Sequence, residues 1–148
     1  MEKRIIGLIG TKDSGRTTAA KVLQKKGFYI VSINDKVAEL ASHLFSKEEL
    51  QREGNVILNN VRKRGTKVNK DYWLNLILVS VPDNAKYIVF DDISLDEAEN
   101  SKISAYQIYR PNVSAEKLDD IDTVENDGNL KDFTSKINNL YDRFTSGS

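Results

Sequence analysis

The residues with the clearest chemical potential run from Gly10 to Thr18, directly after a short apolar segment. Their pattern is Gly-x-x-x-x-Gly-Arg-Thr-Thr, in which the second glycine is Gly15. Glycines at this spacing let backbone N–H groups approach phosphate oxygens without a side chain in the way. A helix that begins at the end of this loop would add the partial positive charge of its N-terminus. We therefore expect a nucleotide- or phosphate-binding loop, and the alternative is a glycine-rich turn that binds nothing.

Two positions in this loop decide how it would handle phosphate. Thr17 stands where a hydroxyl can bind Mg²⁺, whereas Arg16 occupies the position at which this pattern normally carries lysine. Arginine keeps the positive charge but replaces a compact ammonium with a bulky planar group. Lys12 could supply a compensating ammonium. The residues expected to bind the phosphates are Gly10, Thr11, Lys12, Asp13, Ser14, Gly15, Arg16, Thr17 and Thr18.

The segments around this loop predict a βαβ unit. Residues 5–9 are nearly all apolar, as in a parallel strand that is covered on both faces. A helical stripe of apolar residues follows Thr17 and ends before Gly27, and residues 28–33 are rich in β-branched and aromatic residues. Because a parallel strand pair needs a crossover connection, strand, helix and strand in so short a span indicate a parallel sheet.

The rest of the chain continues this alternation. Residues 34–80 predict three helices; the second begins at a capping-box pattern at Ser46 and ends in a basic turn with Gly65 beyond it. Later segments predict further strands and helices, in chain order: a strand at 87–90, a brief helix opened by a capping box at 94–97, a strand at 105–109, a short helix or loop at 113–122, a small strand at 123–124 and a final helix from Leu130 to Phe144. We expect one domain over residues 1–148, with 145–148 as a flexible tail.

Composition limits the class of protein. The 148 residues carry 22 basic and 22 acidic side chains, so the net charge of zero gives no support for a general nucleic-acid or membrane surface. The absence of cysteine excludes disulfides and thiolate metal sites. No apolar stretch approaches transmembrane length, and the first residues lead directly into a strand. A cytoplasmic location is the expectation.

In order along the chain, several motifs resemble those of the P-loop nucleoside-monophosphate kinases, most closely the phage-type deoxynucleoside monophosphate kinases and the dephospho-CoA kinases. The loop described above is the most specific of these motifs. The others are Gly27-Phe28 with Ser32 and Asp35, Gly65 with Asp71-Tyr72-Trp73, Val89-Phe90-Asp91 with Glu97-Ala98-Glu99, Tyr109-Arg110-Pro111, and Asn126-Asp127-Gly128.

This resemblance implies a fold, a reaction and a set of site residues. The fold would be α/β, a three-layer α/β/α doubly wound parallel sheet, and the reaction phosphoryl transfer from ATP to a (deoxy)nucleoside monophosphate, in the host cytoplasm if the source is viral. The implied roles are catalysis by Arg16, Lys12 and Asp91; Mg²⁺ binding by Thr17 and Asp91; donor-nucleotide binding by the loop and Arg110; and acceptor binding in the helical region 34–80 by Asp35, Lys36, Arg62 and Arg64, with Asp92.

Each of these roles has a plainer alternative. Asp91 and Asp92 could simply cap the turn that follows their strand, and the basic cluster 62–64 could be a solvated helix end favoured by the helix dipole. His43 and Trp73 suit a structural role better than ligand binding. The pattern Asn69-Lys70-Asp71 differs from the guanine-reading motif of GTPases, so that class is rejected.

Three departures from the kinase pattern keep two hypotheses open. They are Arg16 itself, Ile93 where the family likeness would place an arginine, and an acidic segment at 112–122 with no arginine where such kinases carry an arginine-rich lid. The first hypothesis is a nucleoside monophosphate kinase that uses ATP and Mg²⁺. The second is a catalytically degenerate protein of the same fold with a nucleotide-binding, regulatory or structural role. Nucleotides are the expected partners, nucleic acid and membranes are not, and a homodimer is left open.

Overall fold

The computed structural model describes residues 3–11, 13–99, 102–113 and 117–146. The chain forms two compact units. The first unit consists of Met1–Val31 and Asp83–Ser148, and the second consists of Ser32–Pro82. The second unit is therefore an insertion in the sequence of the first.

The first unit is built on one sheet of five parallel strands in the order β2-β3-β1-β4-β5. Its strands are β1 (Arg4–Ile9), β2 (Tyr29–Val31), β3 (Tyr87–Phe90), β4 (Ile103–Tyr109) and β5 (Asp122–Glu125), and its helices are α1 (Arg16–Lys25), α5 (Leu130–Ser146) and a 3₁₀ turn at Glu97–Glu99. The central strand β1 pairs with β3 and β4, and five of its six residues are buried. A continuous apolar run is what such a position requires.

Helices α1 and α5 cover one face of this sheet. Ile6 and Leu8 share that face because side chains alternate along a strand, and both are fully buried. They belong to one apolar cluster with Leu23 of α1 and with Ile137 and Leu140 of α5. The two helices also contact each other. This packing fixes the first turn of α1 at the carboxyl end of β1.

The second unit consists of three helices that contact one another pairwise: α2 (Ile33–Leu44), α3 (Lys47–Val68) and α4 (Tyr72–Ser80). The predicted capping box at the start of α3 is confirmed, because the Ser46 hydroxyl accepts from the Glu49 amide at 3.1 Å and the Glu49 carboxylate accepts from the Ser46 amide at 2.9 Å. A kink at Glu53, where φ is −131° and ψ is 26°, interrupts α3 near its start.

The expectation that α3 ends before Gly65 is wrong. The helix continues to Val68, and Gly65 is buried in its last turns. A Cβ at Gly65 would lie 2.7 Å from Cδ1 of Tyr72 and 2.8 Å from Cε2 of Trp73. This glycine therefore allows α4 to approach α3 closely instead of terminating the helix.

The fold class predicted from the sequence, a doubly wound α/β protein with a three-layer parallel sheet, is confirmed. The strands differ from their predicted bounds at the ends: the predicted strand 28–33 is only three residues long, because Ser32 caps α2 with its hydroxyl. The capping box at Ser94 and Glu97 is present, and α5 includes Thr145 and Ser146. Among the described residues, none of the helices has the length and apolar character needed to cross a membrane.

Candidate phosphate-binding site

The loop between β1 and α1 has a tightly wound backbone. Asp13 has φ of +69° and Gly15 has φ of +112°, so two left-handed residues flank Ser14. The Ser14 amide donates to the Thr11 carbonyl at 3.2 Å and closes a turn. Lys12, expected to contribute a cation, lies outside the described residues. Glycine is required at position 15 by the backbone conformation, because L-residues adopt a φ of +112° only with strain.

Gly10 is required for a different reason, which is space. A Cβ at this position would lie 2.6 Å from Oγ of Ser14, 2.9 Å from the carbonyl oxygen of Ile108 and 3.2 Å from Cγ of Arg16. The arginine stem therefore runs back over Gly10, and the side chain is half-buried. The sequence pattern places a cation at position 16, and in the structure the aliphatic part of the Arg16 side chain, at Cγ, lies directly against the loop at Gly10.

Helix α1 begins at this loop with an electropositive end. Gly15 is its N-cap residue, and no side chain among the described residues caps it. The first turn has no acidic residue, so nothing there offsets the partial positive charge of the helix N-terminus. Thr17 is exposed in this turn and Thr18 is half-buried. An anion is the group that such a helix end attracts.

Ser14 supplies an independent indication of a ligand. Its side chain is fully buried, and its hydroxyl has no hydrogen-bond partner among the residues that the structure describes. The hydroxyl oxygen would be the nearest atom to a Cβ on Gly10, so it points into the loop. Buried hydroxyls are normally hydrogen-bonded, and an unpaired one costs about 1–3 kcal/mol. A phosphate oxygen held by the loop would be a suitable acceptor.

Side chains from distant parts of the first unit hold this loop in place. Arg110, just after β4, donates from Nη1 to the Asp13 carbonyl at 3.3 Å. Asn126, just after β5, donates from Nδ2 to the Ser14 carbonyl at 3.0 Å. The expectation for Arg110 was contact with the donor nucleotide, and the structure brings it to the loop. Asn126 is a site residue that the sequence does not indicate, since its motif predicts only a turn before the last helix.

The end of β3 lies beside Gly7 of β1, which pairs with Phe90 two residues before β1 ends. The chain then crosses this edge: the Asp91 amide donates to the Val31 carbonyl at 3.2 Å, and the Ile93 amide donates to the Leu8 carbonyl at 3.1 Å. Both Asp91 and the loop thus lie at the carboxyl edge of the sheet, the edge at which open α/β sheets bind their ligands. Asp92 is buried, with 7% of its surface exposed.

Ile93 is part of the core. Only 3% of its surface is exposed. A Cβ on Gly7 would lie 3.0 Å from Cδ1 of Ile93 and 2.8 Å from Cγ2 of Ile103, so these two side chains close over the glycine of β1. The family likeness would place an arginine at position 93. An apolar environment of this kind disfavours an unpaired charge.

The remaining predicted site residues belong to the second unit. Asp35 and Lys36 lie in the first turn of α2, and Lys36 pairs with Glu39 at 3.5 Å. Arg62 donates from Nη1 to Oδ1 of Asn34 at 2.7 Å, and its carbonyl accepts from the indole of Trp73 at 2.9 Å. The structure therefore gives Arg62 a bond across to α2.

An apolar groove of about 610 Å³ lies within this unit. Arg64 lines it together with residues of α2, α3 and α4. The apolar and aromatic side chains of its lining are Leu40, Leu44, Phe45, Val61, Val68, Tyr72 and Trp73. His43 also borders the groove and is exposed. Such a lining accommodates a flat, weakly polar group and places a cation at its border.

Comparisons with known proteins show the fold alone. No family model matches this chain, and no curated protein matches it. Among solved structures, the crystal structure of TT1252 from Thermus thermophilus matches with a TM-score of 0.60 and 15% sequence identity. The match covers 97% of this chain and 98% of TT1252. Together with the five-stranded parallel sheet, this likeness shows a doubly wound α/β fold.

Proposed function

We propose that this chain binds ATP through the loop from Gly10 to Thr18 and transfers its terminal phosphoryl group to a (deoxy)nucleoside monophosphate. The observation that carries the proposal is the buried hydroxyl of Ser14 at the N-terminus of α1, which has no hydrogen-bond partner and no side-chain cap among the described residues. A hydroxyl donor and an electropositive helix end are jointly suited to phosphate.

The chain's own residues would divide the work of binding. The first-turn amides of α1 and the Ser14 hydroxyl would hold phosphate oxygens, and Arg16, with Lys12, would neutralise their charge. Thr17 and Asp91 are the residues suited to Mg²⁺, because a hydroxyl and a carboxylate are oxygen ligands of the kind it prefers. Mg²⁺, when bound, would neutralise charge on the β- and γ-phosphate oxygens.

The acceptor would bind in the second unit. Its base suits the apolar groove lined by Phe45 and Tyr72, and its phosphate suits the cations Arg64, Arg62 and Lys36. Asp35 is a carboxylate of this unit that would accept hydrogen bonds from the acceptor's amino or hydroxyl groups. The acceptor-binding role of this unit, like the cytoplasmic location, remains a prediction.

In the proposed reaction, an oxygen of the acceptor's phosphate forms a bond to the γ-phosphorus of ATP. The bond between that phosphorus and the β–γ bridging oxygen breaks, and ADP leaves with its electron pair. The products are ADP and a nucleoside diphosphate. The protein contributes position and charge, since phosphoryl transfer needs little else from it.

A two-stage experiment tests the proposal. First, Mg²⁺-ATP should raise the melting temperature of the purified chain, because a ligand that binds only the native state stabilises it by RT ln(1 + [L]/Kd). Second, ADP release should depend on an added ribo- or deoxyribonucleoside monophosphate. Trp73 is the only tryptophan and borders the groove, so its fluorescence should report acceptor binding. In a Thr17→Val variant, the thermal stabilisation by ATP should no longer depend on Mg²⁺, whereas a Thr17→Ser variant should keep that dependence.

The competing function is nucleotide binding without turnover, in a regulatory or structural role. It is favoured by Ile93, whose burial against Gly7 leaves an apolar side chain where the kinase likeness would have a cation. Thermal stabilisation by ATP without turnover on any common monophosphate would overturn the kinase proposal and support this one. Arg16→Lys separates two causes of such a loss: a large gain in phosphoryl transfer would indicate a site that needs only that lysine, and no gain would indicate wider loss.

A further inference from the structure

The turn between β5 and α5 contains a side chain that reaches the phosphate-binding loop. Asn126 lies 112 residues from Ser14 in sequence, and its Nδ2 donates to the Ser14 carbonyl at 3.0 Å. The Asn126 backbone amide donates to the Tyr109 carbonyl at 2.6 Å and extends the pairing of β4 with β5 by one residue. The backbone of Asn126 is therefore bonded to the sheet, and its side chain is bonded to the loop.

The bond to Ser14 controls the direction of one peptide group. The carbonyl of Ser14 and the amide of Gly15 belong to the same planar trans peptide, so they point in opposite directions. Because Asn126 holds the carbonyl, the Gly15 N–H is turned to the other side, away from Asn126. Both neighbours of Ser14 have positive φ, and a backbone of this kind has alternative conformations in which the same peptide is reversed.

Asn126 also packs against Gly15. A Cβ on Gly15 would lie 2.7 Å from Nδ2 of Asn126 and 3.2 Å from Cε2 of Phe133. The glycine thus does two things, since it adopts a φ of +112° and leaves room for the amide that fixes its own peptide. The contact between Gly15 and Asn126 therefore depends on both residues: a side chain at position 15 would displace the Asn126 amide.

The turn that carries Asn126 is braced on both sides. Lys117 pairs with the Glu125 carboxylate. Lys136 of α5 donates to the Glu125 carbonyl at 2.8 Å and to the Asp127 carboxylate at 3.0 Å. Asn126 therefore projects from a segment held by β5 and α5, as a positioning group requires.

We infer that Asn126 is a positioning residue of the nucleotide site, which fixes the Ser14–Gly15 peptide so that the Gly15 N–H faces the bound phosphates. The expected effect of Asn126 on ATP binding rests on the proposed function. The expected effect of Asn126 on the Ser14–Gly15 peptide rests on the hydrogen-bond geometry alone. An amide donor is required: aspartate has the same shape but would set an anionic acceptor against a carbonyl oxygen.

The test compares three variants with the wild-type chain. Asn126→Ala removes the donor, and Asn126→Asp replaces it with an acceptor. Asn129→Ala is the matched control, because Asn129 accepts from the Asp132 amide at 2.8 Å and caps α5, with no hydrogen bond to the described residues of the loop. The control should lower the melting temperature by about 2–4 °C.

Two readouts are expected to agree. Asn126→Ala should weaken ATP binding about tenfold, as expected for one hydrogen bond, and Asn126→Asp should weaken it further, whereas Asn129→Ala should bind ATP as the wild type does. In isotope-labelled protein without nucleotide, the amide resonances of Gly15 and Arg16 should move in both Asn126 variants and stay in place in Asn129→Ala.

The outcomes separate this inference from the proposed function. If the wild type binds ATP and Asn126→Ala binds it equally well, the positioning role is overturned while the proposed function stands. If the wild type binds no ATP, the proposed function fails and the resonances decide alone. Movement confined to the Asn126 variants then supports the positioning role in the loop, and unchanged resonances overturn it.

Discussion

Replacement of Gly10 by alanine tests the phosphate-binding loop with a single methyl group. The added Cβ would lie 2.9 Å from the Ile108 carbonyl oxygen, which belongs to β4 and cannot rotate away. It would also lie 2.6 Å from the Ser14 hydroxyl oxygen. Both distances are shorter than carbon–oxygen contacts allow, so the loop must move away from the strand.

The size of the effect follows from these contacts. Overpacking by one methyl group in a close-packed site costs about 1–3 kcal/mol. For a chain of this length, a loss of about 2 kcal/mol lowers the melting temperature by about 4–8 °C. The larger consequence concerns the ligand, because displacement of the Ser14 hydroxyl and of the neighbouring amides removes the groups proposed to bind phosphate.

Thermal melts with and without Mg²⁺-ATP measure both effects. At a concentration of 100 times Kd, ATP should stabilise the wild type by about 2.7 kcal/mol. The same concentration of ATP should leave the melting temperature of Gly10→Ala unchanged. Gly54→Ala is the matched control, since a Cβ there would meet no atom of the described residues within 4 Å. In α3 that alanine should raise the stability by up to about 1 kcal/mol and keep the full response to ATP.

The result that would refute the reasoning is specific. If Gly10→Ala melts with the wild type and responds fully to ATP, the loop has room that the structure does not show, and the steric account of Gly10 is wrong. If it melts lower but responds fully, Gly10 matters for packing alone, and the proposed phosphate contacts lie elsewhere.

Three further substitutions test the packing and the caps. Ile93→Ala should lower the free energy of unfolding by about 2–4 kcal/mol in denaturant titrations, because it opens a cavity over Gly7. Gly65→Ala should cost about 1–3 kcal/mol, measured by the fluorescence of Trp73 on unfolding, because the methyl group collides with Trp73. Ser46→Ala should destabilise the chain at neutral pH and less so in acid, measured as the difference in melting temperature from the wild type across pH.

The sign of the pH effect follows from the Glu49 carboxyl. Hydrogen bonds from Ser46, first from its amide and then from its hydroxyl, lower the pKa of Glu49. Ser46→Ala keeps the amide and removes only the hydroxyl, so the pH-dependent part of its effect comes from the hydroxyl. A carboxyl with a lowered pKa contributes stability that is present above its unfolded value of about 4.3 and is lost as the pH falls through its folded value. A difference in melting temperature that grows in acid would contradict this account of Glu49. The packing accounts of Ile93 and Gly65 would be contradicted if Ile93→Ala or Gly65→Ala melted at the same temperature as the wild type.

The sequence predicted the strands well because their signals are local. The continuous apolar runs of β1 and β3 indicate parallel strands without reference to anything else in the chain. The loop from Gly10 to Thr18 has a similarly local signature, and so does the capping box at Ser46. Features of this kind depend on residues a few positions apart, so a single sequence contains them in full.

What could not be predicted depends on residues that are far apart in sequence. The bond from Asn126 to Ser14 spans 112 residues and leaves no periodic trace. The burial of Ile93 over Gly7 is equally invisible, since an isolated isoleucine after two aspartates suits a core or a surface. A glycine after a basic turn commonly ends a helix, but Gly65 lies within α3 because it leaves room for Trp73, which is distant from the turn's local pattern.

The insertion of the second unit between β2 and β3 also affects the order of folding. The central strand β1 is made before both of its neighbours, since Arg4 pairs with Tyr87 and Ile5 pairs with Ile103. Contacts between such distant residues form slowly, because the entropy of closing a long loop must be overcome before the contacts contribute. The contacts among α2, α3 and α4 are closer in sequence and can form sooner. On a ribosome, β1 therefore stays without either neighbour until the whole second unit has been synthesised.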